Sequence, residues 1–529
     1  MGRNVDEDAW EVVIKKIAVF FGHVASNIGD LAINVGELSL IQRAFPAAQV
    51  VFVALHIKEG PRFDKAKAEV TAIGDAEWAI FRTSFRHIVD YQASPGKFLQ
   101  DCGVEDADLV LLASGEHLFS YEAQPNLRSL YWRTLPAFSA KSLGKPCVML
   151  PSTFGPFEPE SYKKWMAHFL SLLDGVAVRD ERSLAYLRDV FHCDPSLLPD
   201  PAFFLTPGVK YKREEGQDVK VLGLAMRAED WGIRLAESKK KAGDIEESGA
   251  APQAASFSIS LIQAFLAAKP NGEVRVFVQT EADRALAEEV RKNLGLNSIS
   301  VVEPSGISDY LKELACVDAL VASRFHAIIL GLKVGLPVRG VYFPVHGHKM
   351  PGLFSWLGIE SACYQIAQES DVASQVARDI LDCRIDWQSV NDKIESECQE
   401  LIHWLKDQAS ACEVDFGKMF EASLALNTLG GELINAGFQQ DKAAARDKLV
   451  EKLGREKEDL ERELSEKIGF LEKELSEYRE GLPCDRASGL GYEWADDDKH
   501  PERKLGLDFS LPESRGAKRN LISKEPQRG

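Results

Sequence analysis

The stretch Ala319-Leu-Val-Ala-Ser-Arg-Phe-His-Ala-Ile-Ile-Leu-Gly-Leu332 passes from a short apolar run, through Ser323-Arg-Phe-His326, into a second apolar run. A buried strand that leads directly into a buried helix is typical of parallel sheets covered by helices. In an open parallel sheet, ligands bind at the carboxyl ends of the strands, where Ser323 to His326 fall. The stretch therefore predicts an α/β fold with a binding site at this turn.

The same alternation of β-rich runs and helical patterns extends to both sides of this stretch. The predicted strands are Ile17–Phe21, Val50–Ala54, Leu109–Ala113, Pro146–Leu150 and Gly175–Val178, followed by Val219–Ala225, Glu273–Gln279, Ile299–Val302, Ala319–Ala322 and Pro337–Tyr342. Helices are predicted over Ile28–Ala44, Leu127–Leu143, Pro159–Leu173 and Glu181–Phe191. Two successive βα series indicate two α/β domains.

The segment Leu198-Pro-Asp-Pro-Ala-Phe203 gives way to a charged run and marks the boundary between these domains. We predict a first domain at 1–208, a second at 209–385 and a helical segment at 386–440. A mobile surface loop is predicted over 239–256, which is rich in Lys, Glu, Ala, Gly and Ser.

The C-terminal part of the chain differs from the rest in composition. Leucines and other apolar residues recur at intervals of three, four or seven through 441–480, which predicts a short coiled coil or, alternatively, a solvated single helix. Its glycines, Gly454 and Gly469, weaken a helix. A coiled coil would join this chain to a second copy or to a partner protein. Residues 481–529 mix both charge signs with Gly and Pro, and we expect them to be disordered.

Composition limits the function classes. The chain has 529 residues, a hydrophobic fraction of 45% and a net charge of −18, so a folded protein is expected and binding to nucleic acid is not. The nine cysteines form no C-x-x-C pair, so we predict neither a disulfide framework nor a zinc site. The N-terminus resembles no signal peptide, and no run of about eighteen apolar residues is present. We expect a cytoplasmic protein whose only membrane association is peripheral or through a partner.

Arg324 and His326 are the first candidates for binding an anion. A helix N-terminus attracts anions, and the two side chains would add a bidentate donor and a second donor for a phosphate or carboxylate. The alternative is that Arg324 pairs with a structural carboxylate and that His326 is a core histidine.

Two loops of the first domain also follow predicted strands. Asn27 and Asp30 lie in a turn that is neither a dinucleotide fingerprint nor a P-loop, so nicotinamide cofactors and P-loop chemistry are not expected. They either line the crevice or cap the helix. Glu116 and His117 are candidates for a general acid or base, or else ordinary loop residues.

Arg179 also follows a strand of the first domain, where it could act as a second anion clamp or as an ion-pair partner. The next residue, Asp180, is expected to cap a helix. His346, His348 and Lys349 follow the last strand of the second domain. An H-x-H pair without an assured third ligand does not predict a metal site, and we expect a basic loop facing the substrate.

Six segments in this order resemble the polysaccharide pyruvyl transferase family. They are Asn27-Ile-Gly-Asp30, Gly155-Pro-Phe157, Val178-Arg-Asp180 with Ser183, Asp200-Pro-Ala202, Ser323-Arg-Phe-His326 and the closing Tyr342 to Lys349. The resemblance implies two facing Rossmann-like domains, as in GT-B glycosyltransferases. It also implies transfer of pyruvate from phosphoenolpyruvate to sugar hydroxyls as a ketal, with no further cofactor, in exopolysaccharide or cell-envelope biosynthesis.

The resemblance further implies roles for single residues. Ser323, Arg324, Phe325 and His326 would hold the donor phosphate, and Arg179 would assist from the first domain. Asn27 and Asp30 would lie near the glycan acceptor. The acid and the base would come from Asp30, Glu116, His117 or His348, with His348 and Lys349 also near the substrate.

Two other functions remain open from the sequence. A GT-B-like glycosyltransferase would use the same cleft and the same arginine for the diphosphate of a nucleotide sugar. A non-catalytic member would bind glycan precursors or act as a scaffold through the coiled coil.

Overall fold

A computed structural model describes residues 13–24, 27–55, 60–81, 85–120, 127–211, 218–228, 250–343, 349–366, 371–382, 385–410 and 415–480. Two parallel sheets covered by helices lie within one compact unit that spans residues 1–444. Residues from Ala445 onward form a second unit.

The first sheet has seven parallel strands. In chain order this part contains β1 (Lys16–Phe20), α1 (Ile28–Ala44), β2 (Gln49–Leu55), α2 (Pro61–Thr71), β3 (Glu77–Phe81), α3 (Phe85–Ala93), α4 (Lys97–Asp101), β4 (Leu109–Leu112), β5 (Leu118–Ser120), α5 (Leu127–Ser142), β6 (Cys147–Ser152), β7 (Phe154–Phe157), α6 (Glu160–Leu172), β8 (Gly175–Val178), α7 (Glu181–Phe191), β9 (Ser196–Leu197) and a short 3-10 helix (Pro201–Phe204). The strand order is β3-β2-β1-β4-β6-β8-β9, and β5 pairs separately with β7.

The second sheet has six parallel strands. In chain order this part contains β10 (Val221–Ala225), α8 (Ala250–Ala268), β11 (Glu273–Phe277), α9 (Glu281–Leu294), β12 (Ile299–Val302), α10 (Ile307–Leu314), β13 (Ala319–Ala322), α11 (Phe325–Val334), β14 (Val338–Tyr342), α12 (Lys349–Leu357), a 3-10 turn (Glu360–Ala362), β15 (Cys363–Gln365) and α13 (Val372–Asp382). The strand order is β12-β11-β10-β13-β14-β15. Two long helices follow, α14 (Trp387–Ser410) and α15 (Phe416–Glu480).

Both sheets are Rossmann-like by their own connectivity. Each begins in the middle, runs to one edge through the next two strands and then returns to the other side of the first strand, which is the doubly wound order. The central strands β4 and β13 are buried along their whole length, as expected when helices cover both faces. The predicted α/β class is confirmed, and all ten predicted strands are present within two residues at each end.

A continuous apolar core joins the two sheets. Leu31 and Val35 of α1 belong to the same cluster of buried residues as Leu320 and Ile328 of the second sheet region. Residues of α14 also belong to this cluster, and α14 contacts α1 of the first sheet region. The predicted helical C-terminal part is therefore present as α14 and α15.

One prediction for the second domain is wrong in part. The mobile loop expected over 239–256 does not extend to Ser256, because residues from Ala250 onward form α8 and bury Ala254 and Ala255. Alanine favours helix, and the apolar pattern after Ser256 extends the helix backwards into the insert. Residues 239–249, like the predicted disordered tail at 481–529, lie outside the described residues.

The predicted coiled-coil region, 441–480, is helical as part of α15. Its association with a second helix stays a prediction. In the part of the chain that the structure describes, no helix is both long and apolar enough to cross a membrane.

Candidate active site

The candidate site lies where the strand order reverses in each sheet. β1 pairs with both β2 and β4, and β10 pairs with both β11 and β13. Where the connections after two neighbouring strands run in opposite directions, a crevice opens at the carboxyl ends of those strands. Side chains from the two crevices contact each other, so the predicted strand-end residues of both sheets form one site.

The start of α1 forms one wall of this site. Asn27 caps the helix, because its Oδ1 accepts a hydrogen bond from the Gly29 N–H at 3.0 Å, which is the cap role considered from the sequence. Asp30 lies in the first turn and is partly exposed. A Cβ atom on Gly29 would lie 2.5 Å from the Nδ1 atom of His326. The absence of a side chain at Gly29 therefore lets α1 approach the start of α11.

Arg179, at the end of β8, forms a buried ion pair with Asp200. Its Nη1 lies 2.6 Å from Oδ2 of Asp200, and its Nε donates to Oγ1 of Thr153 at 3.0 Å. Burial alone would raise the pKa of Asp200, but the Arg179 guanidinium and the nearby His326 hold it well below its usual range. Asp200 is therefore a carboxylate. Its Oδ2 lies 3.6 Å from Nε2 of His326, which is beyond hydrogen-bond distance.

Phe325 completes the contact between the two sheet regions at this point. Its ring lies 5.2 Å from the guanidinium carbon of Arg179, a cation–π distance. Asp180 lies immediately before α7 and caps it. Its Oδ1 accepts a hydrogen bond from the Ser183 N–H at 2.8 Å, which confirms the cap predicted for it.

Ser323 and Arg324 hold the turn after β13. The Ser323 hydroxyl oxygen accepts the N–H of Arg227 at 2.7 Å, which ties this turn to the loop after β10. Arg324 donates to Asp283 and, at 2.9 Å, to Oγ1 of Thr280, within the second sheet region. This pairing is the structural alternative considered for Arg324. α11 begins immediately after Arg324, its N-cap residue, and the Arg324 side chain makes no capping hydrogen bond to the helix.

Glu116 and Lys349 contact each other across the site, from the loop after β4 and the start of α12. Burial favours the neutral form of Glu116, but the positive charges of Lys349, Arg179 and Arg227 outweigh this and lower the pKa of Glu116. Burial lowers the pKa of Lys349. The negative charge of Glu116 opposes this effect, and the positive charges of Arg179 and Arg227 add to it. One carboxylate therefore lies among three cationic side chains.

His117 lies behind Glu116 and is buried. Neither ring nitrogen has a hydrogen-bond partner among the described residues. Burial, and then the charges of Arg133, His23 and Arg179, hold the pKa of His117 well below its usual value. The ring is therefore neutral at neutral pH, and a neutral imidazole has one nitrogen that can accept a proton.

Glu37 is a buried polar residue that the sequence reasoning missed. Its Oε1 accepts the Ser114 N–H at 2.6 Å, while Oε2 has no partner among the described residues. Burial raises the pKa of Glu37 well above its usual value, and the negative charge of Asp200 raises it further. The hydrogen bond from Ser114 and the positive charge of Arg179 lower it by less. One turn earlier, Asn34 binds both backbone groups of His23 at 2.7 Å. Two polar residues three apart in the otherwise apolar stretch Leu31-Ala-Ile-Asn-Val-Gly-Glu-Leu38 were the available signal.

Two of the predicted substrate-facing residues cannot be placed. His346 and His348 fall in 344–348, outside the described residues. Among those that are described, no group of three or more His, Cys, Asp or Glu side chains is arranged to hold a metal ion.

A sequence model of a family described as polysaccharide pyruvyl transferase matches residues 27–343. The matched range begins at the Asn27 cap and ends just after β14, so it contains both crevices. No curated protein sequence matches the chain.

Several solved structures are similar over most of their length. The UDP-GlcNAc 2-epimerase of Neisseria meningitidis bound to UDP-GlcNAc is 10% identical with a TM-score of 0.45, covering 74% of this chain and 99% of that chain. The UDP-GlcNAc 2-epimerase of Methanocaldococcus jannaschii is 12% identical with a TM-score of 0.45, covering 73% and 99%. The ADP-heptose LPS heptosyltransferase II of E. coli is 13% identical with a TM-score of 0.34, covering 73% and 99%.

Proposed function

The chain belongs to the polysaccharide pyruvyl transferase family, and from this premise we propose that it transfers pyruvate from phosphoenolpyruvate to two hydroxyls of a glycan as a ketal. The acceptor would be a polysaccharide or a glycan precursor. The donor carries a phosphate and a carboxylate on adjacent positions, so its site must offer positive charge and hydrogen-bond donors.

The geometry at the start of α11 supports this proposal most directly. Arg324 is its N-cap residue and makes no side-chain capping hydrogen bond, and backbone N–H groups at a helix start favour an anion. Phe325 and His326 lie in its first turn, beside Arg179 of the first sheet region. A phosphate at this position would be held by residues of both sheets.

The ion pairs of Arg179 and Arg324 affect how such a phosphate is held. Each guanidinium already contacts one carboxylate, Asp200 or Asp283, so part of its charge is offset. A guanidinium has five N–H donors and can bind a second anion while keeping the first. The two aspartates would fix both arginines before the donor arrives, which lowers the entropic cost of binding.

The reaction balances with groups of this kind. A proton adds to the donor methylene, the first sugar hydroxyl adds to C2, the bond between C2 and the bridging oxygen breaks, and the second hydroxyl closes the ketal. The two hydroxyl protons end on the new methyl group and on the departing phosphate. The positive charge near α11 would stabilise the negative charge that collects on that phosphate.

An acid and a base are also needed, and Glu116 and His117 stay candidates for these roles. Glu116 is a carboxylate in contact with Lys349, whereas burial and neighbouring positive charges lower the pKa of His117 and make it a weak proton acceptor. Asp30 and His348 remain further candidates from the family resemblance. The pH–rate profiles of single substitutions of His117 and Glu116 would show which of the two residues acts as the acid or the base.

Calorimetric titration with phosphoenolpyruvate tests the donor. We expect binding that weakens by about tenfold or more in Arg324→Ala and His326→Ala, and phosphate release that requires a glycan with neighbouring hydroxyls. Since Arg324→Ala also removes the partner of Asp283, thermal unfolding must show that it is folded. His326→Asn serves as a second, milder variant.

Arg188→Ala is a suitable control, because Arg188 forms an exposed pair with Asp194 away from these residues. Unchanged affinity in the three site variants would overturn the site assignment. Binding of a nucleotide sugar in place of phosphoenolpyruvate would instead favour glycosyl transfer. Binding of neither would favour the non-catalytic scaffold.

A further inference from the structure

Arg133 of α5 is an arginine whose charge has no counter-charge among the described residues. Its side chain is only partly exposed, and its one hydrogen bond to a described group goes to the backbone carbonyl of His117. Burial lowers the pKa of Arg133 to about 10, so the group stays charged at neutral pH, and no described carboxylate acts to raise it. Charged side chains that are withdrawn from water are normally paired. A guanidinium in this situation is suited to bind an anion from solution.

His117 contributes a second polar group beside Arg133. The residue is 8% exposed, and neither ring nitrogen has a hydrogen-bond partner within the part of the chain that the structure describes. The charged groups that lower its pKa are Arg133, His23 and Arg179, and none of them is a carboxylate. Since Asp200 already balances Arg179, the charge of Arg133 is the uncompensated one in this group.

Two strand ends and a helix bring these groups together. His23 follows β1, and its Nε2 donates to the carbonyl of Ser114 after β4 at 2.7 Å. A Cβ atom on the next residue, Gly115, would lie 3.1 Å from Nε2 of His23 and 3.2 Å from Nδ1 of His117. Both rings therefore flank the same loop at the carboxyl ends of β1 and β4, where the crevice of the first sheet opens. Arg133 contacts this loop from α5.

The number of charges and their geometry favour a carboxylate over a phosphate. A guanidinium has five N–H donors and can offer two parallel ones to a single carboxylate, so the hydrogen bond to the His117 carbonyl leaves donors available. A neutral imidazole adds one further donor. One carboxylate would balance the charge of Arg133, whereas a phosphate dianion would leave one negative charge in a partly buried position, which is costly.

We propose that Arg133 and His117 form a subsite for a carboxylate of the substrate, on the first-sheet side of the crevice. Two substrates of the proposed function can supply this group: the donor through its pyruvyl carboxylate, and the acceptor through an acidic sugar. The inference rests on the proposed function only for this identification, because binding of a carboxylate to the subsite can be measured without turnover.

Binding of two small carboxylates to the full chain tests the subsite and separates its sources. Pyruvate represents the donor, and methyl glucuronide represents an acidic sugar, with methyl glucoside as its uncharged counterpart. The NMR signals of their methyl groups report weak binding. Arg133→Gln keeps a donor for the His117 carbonyl but removes the charge, and it should weaken binding of the cognate carboxylate by about tenfold or more. Binding of inorganic phosphate, the probe for the start of α11, should change much less.

Arg188→Gln is the matched control, because it removes an exposed arginine that pairs with Asp194. Thermal unfolding of each variant excludes misfolding as the cause. Should Arg133→Gln fail to fold, Arg133→Lys takes its place: it keeps the charge but loses the two parallel donors, so carboxylate affinity should still fall. His117→Phe, which keeps an aromatic ring against Phe21, should also weaken carboxylate binding.

Unchanged binding of both carboxylates in a folded Arg133→Gln protein would overturn the subsite, and so would a wild type that binds neither. An equal loss for phosphate and the carboxylates would show a general effect of charge and would also overturn it. Dependence on Arg133 for pyruvate assigns the subsite to the donor, and dependence for the glucuronide assigns it to the acceptor. The proposed function can fail separately. If carboxylate binding depends on Arg133 but no acceptor releases phosphate from phosphoenolpyruvate, the subsite stands and the transfer reaction does not.

Discussion

The Nη1 atom of Arg179 lies 2.6 Å from the Oδ2 atom of Asp200, and both side chains are almost completely buried. The pair joins the end of β8 to the 3-10 helix that begins at Pro201. This helix packs on both α1 and α11, so the pair lies where the two sheet regions meet. Its two charges satisfy each other inside the protein, and neither could be solvated alone.

Asp200→Asn should therefore destabilise the protein strongly. The change leaves the Arg179 guanidinium buried without its carboxylate, which typically costs about 3–5 kcal/mol. Urea unfolding measures this. Asp194→Asn is the matched control, because its pair with Arg188 is exposed on both sides and should contribute less than about 1 kcal/mol. Equal losses in the two variants would show that Arg179 finds another partner.

Glu37 predicts a dependence of stability on pH. Burial raises its pKa from the ordinary 4.5, so between the two values the folded protein holds a proton that the unfolded chain has lost. Stability must then fall as pH rises through this window, by about 1.4 kcal/mol per unit at most. Glu37→Gln carries no titrating group, so its stability should fall less than that of wild type.

Urea unfolding of wild type and Glu37→Gln at several pH values checks this expectation. Glu105→Gln, on an exposed turn, controls for the loss of one carboxylate. If the difference between wild type and Glu37→Gln does not change with pH, Glu37 is ionised in the folded protein and paired with Arg179.

The fold could be predicted because its signals are local. Strands such as Leu109–Leu112 and Ala319–Ala322 are continuous apolar runs, and each is followed by a turn and an apolar helix. β3 was missed because this edge strand, Glu77-Trp-Ala-Ile-Phe81, is only partly buried and mixes apolar with charged residues. β9 and β15 are too short to show a period.

The site could be predicted only in part, because its partners are distant in sequence. Strand ends identified Arg179 and Arg324, yet nothing local indicates that Arg179 pairs with Asp200 or Arg324 with Asp283. These pairs depend on how the chain returns to the same sheet edge. The contact of Lys349 with Glu116 connects residues of different sheet regions, which no spacing rule reveals.

Gly29→Ala should impair the site without a gain in stability. Alanine favours a helix over glycine by about 1 kcal/mol, so a stabilised protein would be expected if the position were open. A Cβ atom here would collide with His326, and the ring must move. We expect phosphoenolpyruvate affinity to fall by about tenfold or more, because misplaced contacts are costly.

Calorimetry and thermal unfolding of Gly29→Ala measure both effects. Gly454→Ala is the matched control, because a Cβ atom on Gly454 of α15 meets no other group within 4 Å. It should leave donor affinity unchanged. A Gly29→Ala protein that binds the donor normally would show that His326 is not needed at its present position.

Leu460→Glu tests whether α15 forms a coiled coil. The side chains of Leu453, Leu460, Leu464 and Ile468 are 53%, 66%, 60% and 47% exposed, and their spacing is that of a helix–helix seam. On a solitary helix a glutamate at position 460 would cost little, whereas in a seam it would place a charge against apolar side chains of a second copy. Light scattering after size exclusion should give twice the chain mass for wild type and the chain mass for Leu460→Glu. Leu296→Glu, at an exposed leucine outside α15, should leave the mass unchanged, and a wild type that elutes as a single chain would mean that α15 does not pair with itself.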